Sequence, residues 1–250
     1  IDMIIEPDAN DIARMEENEK ISVIKEGGTR VNFLTVNTEK APFDNIYVRK
    51  AINAAIDKEA VIAVALNGEG RVALSETPMV FEGASEKGCD GYDPRLAKSY
   101  MEQSGLDGQT AAFTCYVFND TARRAAEVIQ ASLLELNMEM SIESLDYATY
   151  LTQVFAGDYE MAVSGFTSGT MYNYLYGIFH SESINAANMA RVNDPYIDSM
   201  IDRGKTQTDI DDRSATFEAL TDYINSRSIY IPLYQSVVIR AMDSRLGGFR

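Results

Sequence analysis

Between residues 111 and 166 the sequence runs AAFTCYVF (111–118), TARRAAEVIQASLLEL (121–136), MSIESL (140–145) and YEMAVSGF (159–166), and this order settles the architecture. The first, third and fourth runs are short and bounded by polar segments, as strands are. The second places Ala122, Ala125, Ala126, Ile129, Leu133 and Leu136 on one helical face. With another helix before residue 159, the order is strand, helix, strand, helix, strand. That order predicts an α/β sheet with right-handed crossovers in this half.

The rest of the chain extends the pattern. Val48, Ala51, Ile52, Ala55 and Ile56 make one apolar helical face, and Phe217, Leu220 and Ile224 another. Asp93-Pro94 and Asp194-Pro195 each mark a helix start, with the aspartate placed to accept orphan amide hydrogens and proline at the first helical position. Asp57 is expected to cap a helix over 58–67 that Asn67-Gly68 stops. Further strands are expected at 1–5, 30–38 and 229–239. Pro232 cannot donate a ladder hydrogen bond, so the last strand should lie at an edge or bend there.

Composition narrows function. The 250 residues carry 38 acidic and 22 basic side chains, a formal net charge of −16. With no basic cluster to offset it, this surface repels phosphate backbones and argues against nucleic acid as a partner. No apolar run approaches bilayer-spanning length. The ends, Ile1 and Leu246-Gly-Gly-Phe-Arg250, read as cuts within a longer protein, and the 250 residues themselves contain no signal-peptide pattern. Cys89 and Cys115 lack C-x-x-C spacing and are expected to be free thiols.

Catalytic and metal motifs fail on spacing. His180 is the single histidine, and a surface or capping role suits its place near a helix end. Gly165-Phe-Thr-Ser-Gly169 has the serine one place too late for a nucleophile elbow. Asp209, Asp211 and Asp212 lack the glycine of a calcium loop and suit a helix start instead. Gly68-Glu-Gly70 follows a helix, where a dinucleotide fingerprint must follow a strand. The chain is therefore expected to have no catalytic residues, no metal and no cofactor. The stretch from Gly165 to Tyr174 stands apart, since it joins glycines, hydroxyls and aromatics at the C-terminal end of a strand. Open α/β sheets bind ligands there; a flexible turn with its tyrosines packed on the core is the competing reading.

Five segments carry a family resemblance. They are Asn37-Thr38 with Pro42-Phe43-Asp44 and Val48-Arg49-Lys-Ala51-Ile52; Tyr92-Asp93-Pro94 to Gly105; residues 127–136 with Asp146 to Leu151; Gly157-Asp158-Tyr159 to Gly165-Phe166; and Asn188 to Arg191 with Ile231-Pro232-Leu233-Tyr234. In these the chain resembles the C-terminal lobe of family 5 extracellular solute-binding proteins, the dipeptide-, oligopeptide- and nickel-binding type. The resemblance implies a periplasmic-binding-protein-like type II lobe, with a mixed sheet flanked by helices. Residues 1–28 would be the remnant of a preceding lobe, 29–240 the ligand-binding lobe, and 241–250 the start of the return. The segments at 30–38 and 229–239 would be the strands that cross between lobes.

The resemblance also implies a function. Such a protein binds a small peptide or peptide-like solute by hinge closure and passes it to ABC permease subunits, outside the cytoplasm, in the periplasm or lipid-anchored at the membrane's outer face. A fused sensory or regulatory module, or a binder of a metal chelate, opine or sugar, is the alternative. Phe166, Thr167, Ser168, Gly169, Tyr172 and Asn173 are the expected ligand contacts, with Asn188 and Arg191 behind them. For Arg191 a structural salt bridge is the equal alternative. Peptide binders of the family place an aspartate after the position of Phe166, but here Thr167-Ser168-Gly169-Thr170 follows. Dipeptide binders carry an arginine where this chain has Cys115-Tyr116-Val117-Phe118. Both departures argue against tight recognition of a zwitterionic dipeptide.

Overall fold

The computed structural model describes the backbone of residues 2–5 and 7–246. The expectations for Ile1 and for the last four residues therefore lie outside the described residues. In chain order the elements are β1 (Met3–Ile5), α1 (Ala9–Glu16), β2 (Ile21–Val36), α2 (Ile46–Ala55), α3 (Lys58–Leu66) and β3 (Arg71–Val72). They continue through α4 (Pro94–Ser104), β4 (Ala111–Val117), α5 (Asp120–Leu134), β5 (Met138–Ser144) and α6 (Tyr147–Ala156). The last are β6 (Met161–Thr167), α7 (Met171–Phe179), α8 (Pro195–Thr206), α9 (Ile210–Asn225) and β7 (Tyr230–Asp243).

One mixed sheet has the order β1-β7-β2-β6-β4-β5, with β3 also on β7. β4 pairs in parallel with β5 and β6, as the strand–helix alternation requires, while β2 pairs antiparallel with β6 and β7. Adjacent residues of a strand face opposite sides, and each side of this sheet has its own core. Leu34 and Val36 face a cluster with α2, α3, α4 and α5, whereas Val31 and Phe33 face one with α6, α7, α8 and α9. Phe33 and Leu34 are both fully buried. The expected mixed sheet with helices on both faces is thus present.

The caps fall where the sequence puts them. Asp57, Asp93, Asp194 and Asp209 each accept amide hydrogens at the starts of α3, α4, α8 and α9. Asn67 ends α3 in the left-handed region at φ 52°. Two strand limits differ from expectation by more than two residues. β2 starts at Ile21 and β7 runs to Asp243, because residues 21–27 pair with 237–243 in a long antiparallel ribbon. Residues 3–5 join the same ribbon along β7. At Pro232 the ladder slips: Asn32 faces Tyr234 but Phe33 faces Pro232, so Leu233 is the extra residue. The missing proline donor is absorbed by a bulge.

The Pro-Phe-Asp segment has a structural explanation. The Arg49 guanidinium is buried and donates to the carbonyls of Phe43 (2.8 Å) and Ser228 (3.1 Å), tying the turn before α2 to the turn before β7. Beside it Glu76 is fully buried and accepts the backbone amides of Ile229 (3.0 Å) and Tyr230 (2.8 Å). Burial pushes its carboxyl well above the usual carboxylate range, against the pull of those two amides, Arg49 and Lys58. Both cysteines are free, and burial pushes the Cys115 thiol up to about 12.

Candidate functional site

At the C-terminal ends of β4, β5 and β6 the sheet opens into a groove of about 340 Å³. Its walls include Phe118, Tyr147 and Tyr150, which directly follow β4 and β5 or lie in α6, and Phe166 and Thr167 at the end of β6. The Phe118 ring lies 5.1 Å from Tyr147 and 4.8 Å from Tyr150, a compact aromatic wall. Tyr150 is held from below by its hydroxyl, which donates to the Val163 carbonyl (2.9 Å). A larger cavity of about 500 Å³ lies against Ala111 and Met138, the N-terminal ends of β4 and β5. Open α/β sheets bind at the other end of their strands, so the smaller groove is the candidate site.

The floor is shaped by a bulge in β2. Gly27 faces Val237 and Val31 faces Gln235, so three residues of β2 stand opposite Ser236 alone. Bulges re-aim side chains, and Arg30 within this one lines the groove. Its Nε donates to Asn32 Oδ1 (3.0 Å) and its Nη1 to Thr167 Oγ1 (3.4 Å). Asn32 Nδ2 in turn donates to Ser236 Oγ (3.1 Å). Gly165 makes room for this chain of contacts: a Cβ there would stand 2.6 Å from Asn32 Oδ1 and 2.7 Å from Arg30 Nη2.

The expected contact residues divide. Phe166 and Thr167 line the groove. Ser168, Gly169 and Thr170 form the short turn that follows, and Thr170 caps α7 by accepting the Asn173 amide (3.2 Å). Tyr172 and Asn173 therefore sit on the first turn of a helix, not in a loop, and Tyr172 stacks towards Tyr176 and Lys205. Asn188 is buried, with its amide spent on the carbonyls of His180 (3.0 Å) and Val192 (2.9 Å). Arg191 pairs with Glu39 at 2.6 Å and donates to Asn185 (2.9 Å), the structural alternative considered for it. His180 is buried at the end of α7, where its Nδ1 accepts the Glu182 amide (3.1 Å); the capping role holds and the surface position does not.

Sequence reasoning missed Arg30, Phe118, Tyr147 and Tyr150. Applying the strand-end rule to β4 and β5 as well as β6 finds Phe118 and Tyr147. Arg30 had no such signal, because it enters at the opposite end of an antiparallel strand. Among the described residues, no group of three His, Cys, Asp or Glu side chains is placed to hold a metal ion. No described helix is long and apolar enough to cross a membrane.

A mixed sheet with helices on both faces, a strand-end groove and a two-strand ribbon beside it define one lobe of a type II periplasmic binding protein. The match to the family model "Bacterial extracellular solute-binding proteins, family 5 Middle" over residues 1–186 is the particular identification, and the chain belongs to that family. Heme-binding protein A of Haemophilus influenzae is 27% identical over 99% of this chain and 47% of its own length. A dipeptide-binding protein of Escherichia coli is 29% identical over 69% of this chain and 34% of its own. The solved structure of HbpA2 from Haemophilus parasuis superposes with a TM-score of 0.93 at 24% identity, over 99% of this chain and 50% of that one. DppA from Helicobacter pylori, in complex with the peptide STSA, gives 0.86 at 25% identity, over 100% and 50%. The chain spans about half the length of the relatives it matches.

Proposed function

We propose that this chain is the larger wall of an interlobe cleft in a solute-binding protein that serves an ABC importer outside the cytoplasm. The groove at the ends of β4, β5 and β6, directly beside the β2–β7 ribbon, is the observation that carries this reading. A solute seated there would touch a second lobe only after the ribbon bends, so its extra contacts favour the closed form. The closed form then docks on permease subunits, and the solute leaves unaltered. Relatives named as dipeptide-binding and di/tripeptide-binding proteins make small peptides and peptide-like solutes the first class to test. Residues 29–240 would form this lobe, residues 1–28 a remnant of the preceding lobe and residues 241–250 the start of the return, with Ser168, Gly169 and the first turn of α7 at the rim. Asn188 and Arg191 support the rim from beneath.

The test is isothermal calorimetry of the full-length protein against peptide, opine and metal-chelate panels, with product analysis of the same mixtures. Saturable binding with every solute recovered intact is expected. A folded protein that binds none of them, or that alters one, overturns the proposal.

A further inference from the structure

Arg30 is the one charged side chain among the described residues lining the groove. The protein has 38 acidic side chains against 22 basic ones, yet among the described residues Arg30 has no carboxylate within ion-pair range. Its partners, Asn32 and Thr167, are neutral. They engage Nε and Nη1, and the hydrogens of Nη2 remain for another acceptor. The group is nonetheless held in place. The β2 bulge, the Asn32–Ser236 hydrogen bond and the missing side chain at Gly165 together fix where the guanidinium lies. A cation fixed before any acceptor arrives loses little freedom on binding one.

The rest of the lining is uncharged. Phe118, Tyr147, Tyr150, Leu151, Phe155 and Phe166 supply apolar and aromatic area, and no Asp or Glu joins them. This wall therefore offers a charged partner for an anion and no carboxylate for an ammonium group. We propose that Arg30 is an anion subsite that takes the carboxylate of the solute, while an apolar or aromatic body lies along Phe118, Tyr147 and Phe166. A free amino group on the solute is not selected by this wall. The inference rests on the groove being the solute site, as proposed above.

The experiment uses the full-length protein and apolar di- to tetrapeptides ending in Leu-Phe, each as free peptide, N-acetylated peptide and C-terminal amide. Charge-assisted hydrogen bonds to a guanidinium predict that amidation weakens binding by about 10- to 100-fold. N-acetylation should change affinity by less than about threefold, since no acid faces the amine here. Arg30→Gln should weaken the free acids by that same factor, leave the amides unchanged and so erase the difference, while Arg30→Lys should restore part of it. Melting curves establish that each variant is folded. Amides that bind as well as acids overturn the subsite. So does an Arg30→Gln variant that loses acids and amides equally, which would mean that Arg30 pairs with protein and not with solute. If the folded wild type binds none of the peptides, the peptide reading of the groove falls first and this inference falls with it. Binding without acid–amide discrimination sinks only the role of Arg30.

Discussion

Glu76 shows how a single side chain organises distant backbone. Its two oxygens accept the amides of Ile229 and Tyr230, and its own amide donates to Asn225 Oδ1 (3.0 Å). Replacing it with alanine would strand two buried donors. We expect Glu76→Ala to lose about 2–4 kcal/mol in urea denaturation; a loss below about 1 kcal/mol would show that water or a shifted turn replaces the carboxylate. Nothing in Ser-Glu-Thr-Pro announces this role, because the partners lie 153 and 154 residues away. The same limit applies at the groove. Phe166 and Thr167 were readable because a strand end is a local feature, whereas Arg30 depends on a bulge set by pairing with β7. Arg191 was readable only as an even choice, and the structure gives it Glu39 as an ion-pair partner.

Among the elements, helix starts were the most readable, since a cap is written within four residues. Asp57 accepts the amides of Glu59 (3.0 Å) and Ala60 (3.1 Å) at the start of α3. Asp57→Ala should cost about 1 kcal/mol and Asp57→Asn much less, by thermal denaturation; equal losses for both would indicate that charge rather than the acceptor matters. The helix α7 was harder to read. Its tyrosines at 172, 174 and 176 alternate in a strand-like way, and the stretch from Gly165 to Tyr174 reads as a turn at a strand end. The structure shows that Thr170 ends that turn as a cap. For Pro232 the expectation of an edge or a bend was met by the bend, since the strand carries β2 on one side and β3 just beyond.

For the molecule as a whole, the parallel half was predictable and the antiparallel half was not. β4, β5 and β6 follow one another with single helices between them, so local order fixes their parallel direction. β1, β2 and β7 meet across more than 200 residues, for example Ile21 with Asp243, and no local pattern encodes that closure. Charge acts at this scale too. A net −16 repels itself in the compact state. Raising salt from about 0.01 M to about 0.15 M shortens the screening length from about 30 Å to about 8 Å, and the melting temperature should rise by a few degrees. A fall would mean that pairs such as Arg191–Glu39 and Arg213–Glu82 outweigh the repulsion.

The bulge that aims Arg30 also brings the chain's way in beside its way out. A Cβ on Gly28 would stand 3.0 Å from the carbonyl oxygen of Ser236. Everything between those two points is one excursion from a pair of touching strands. Such a segment behaves as a cassette, because its removal or exchange leaves two ends already side by side and adds little loop-closure entropy. Under the two-lobed arrangement proposed above, grafting the corresponding segment of a relative at these positions would exchange one side of the cleft while keeping the other, a route by which specificity could be shuffled in halves.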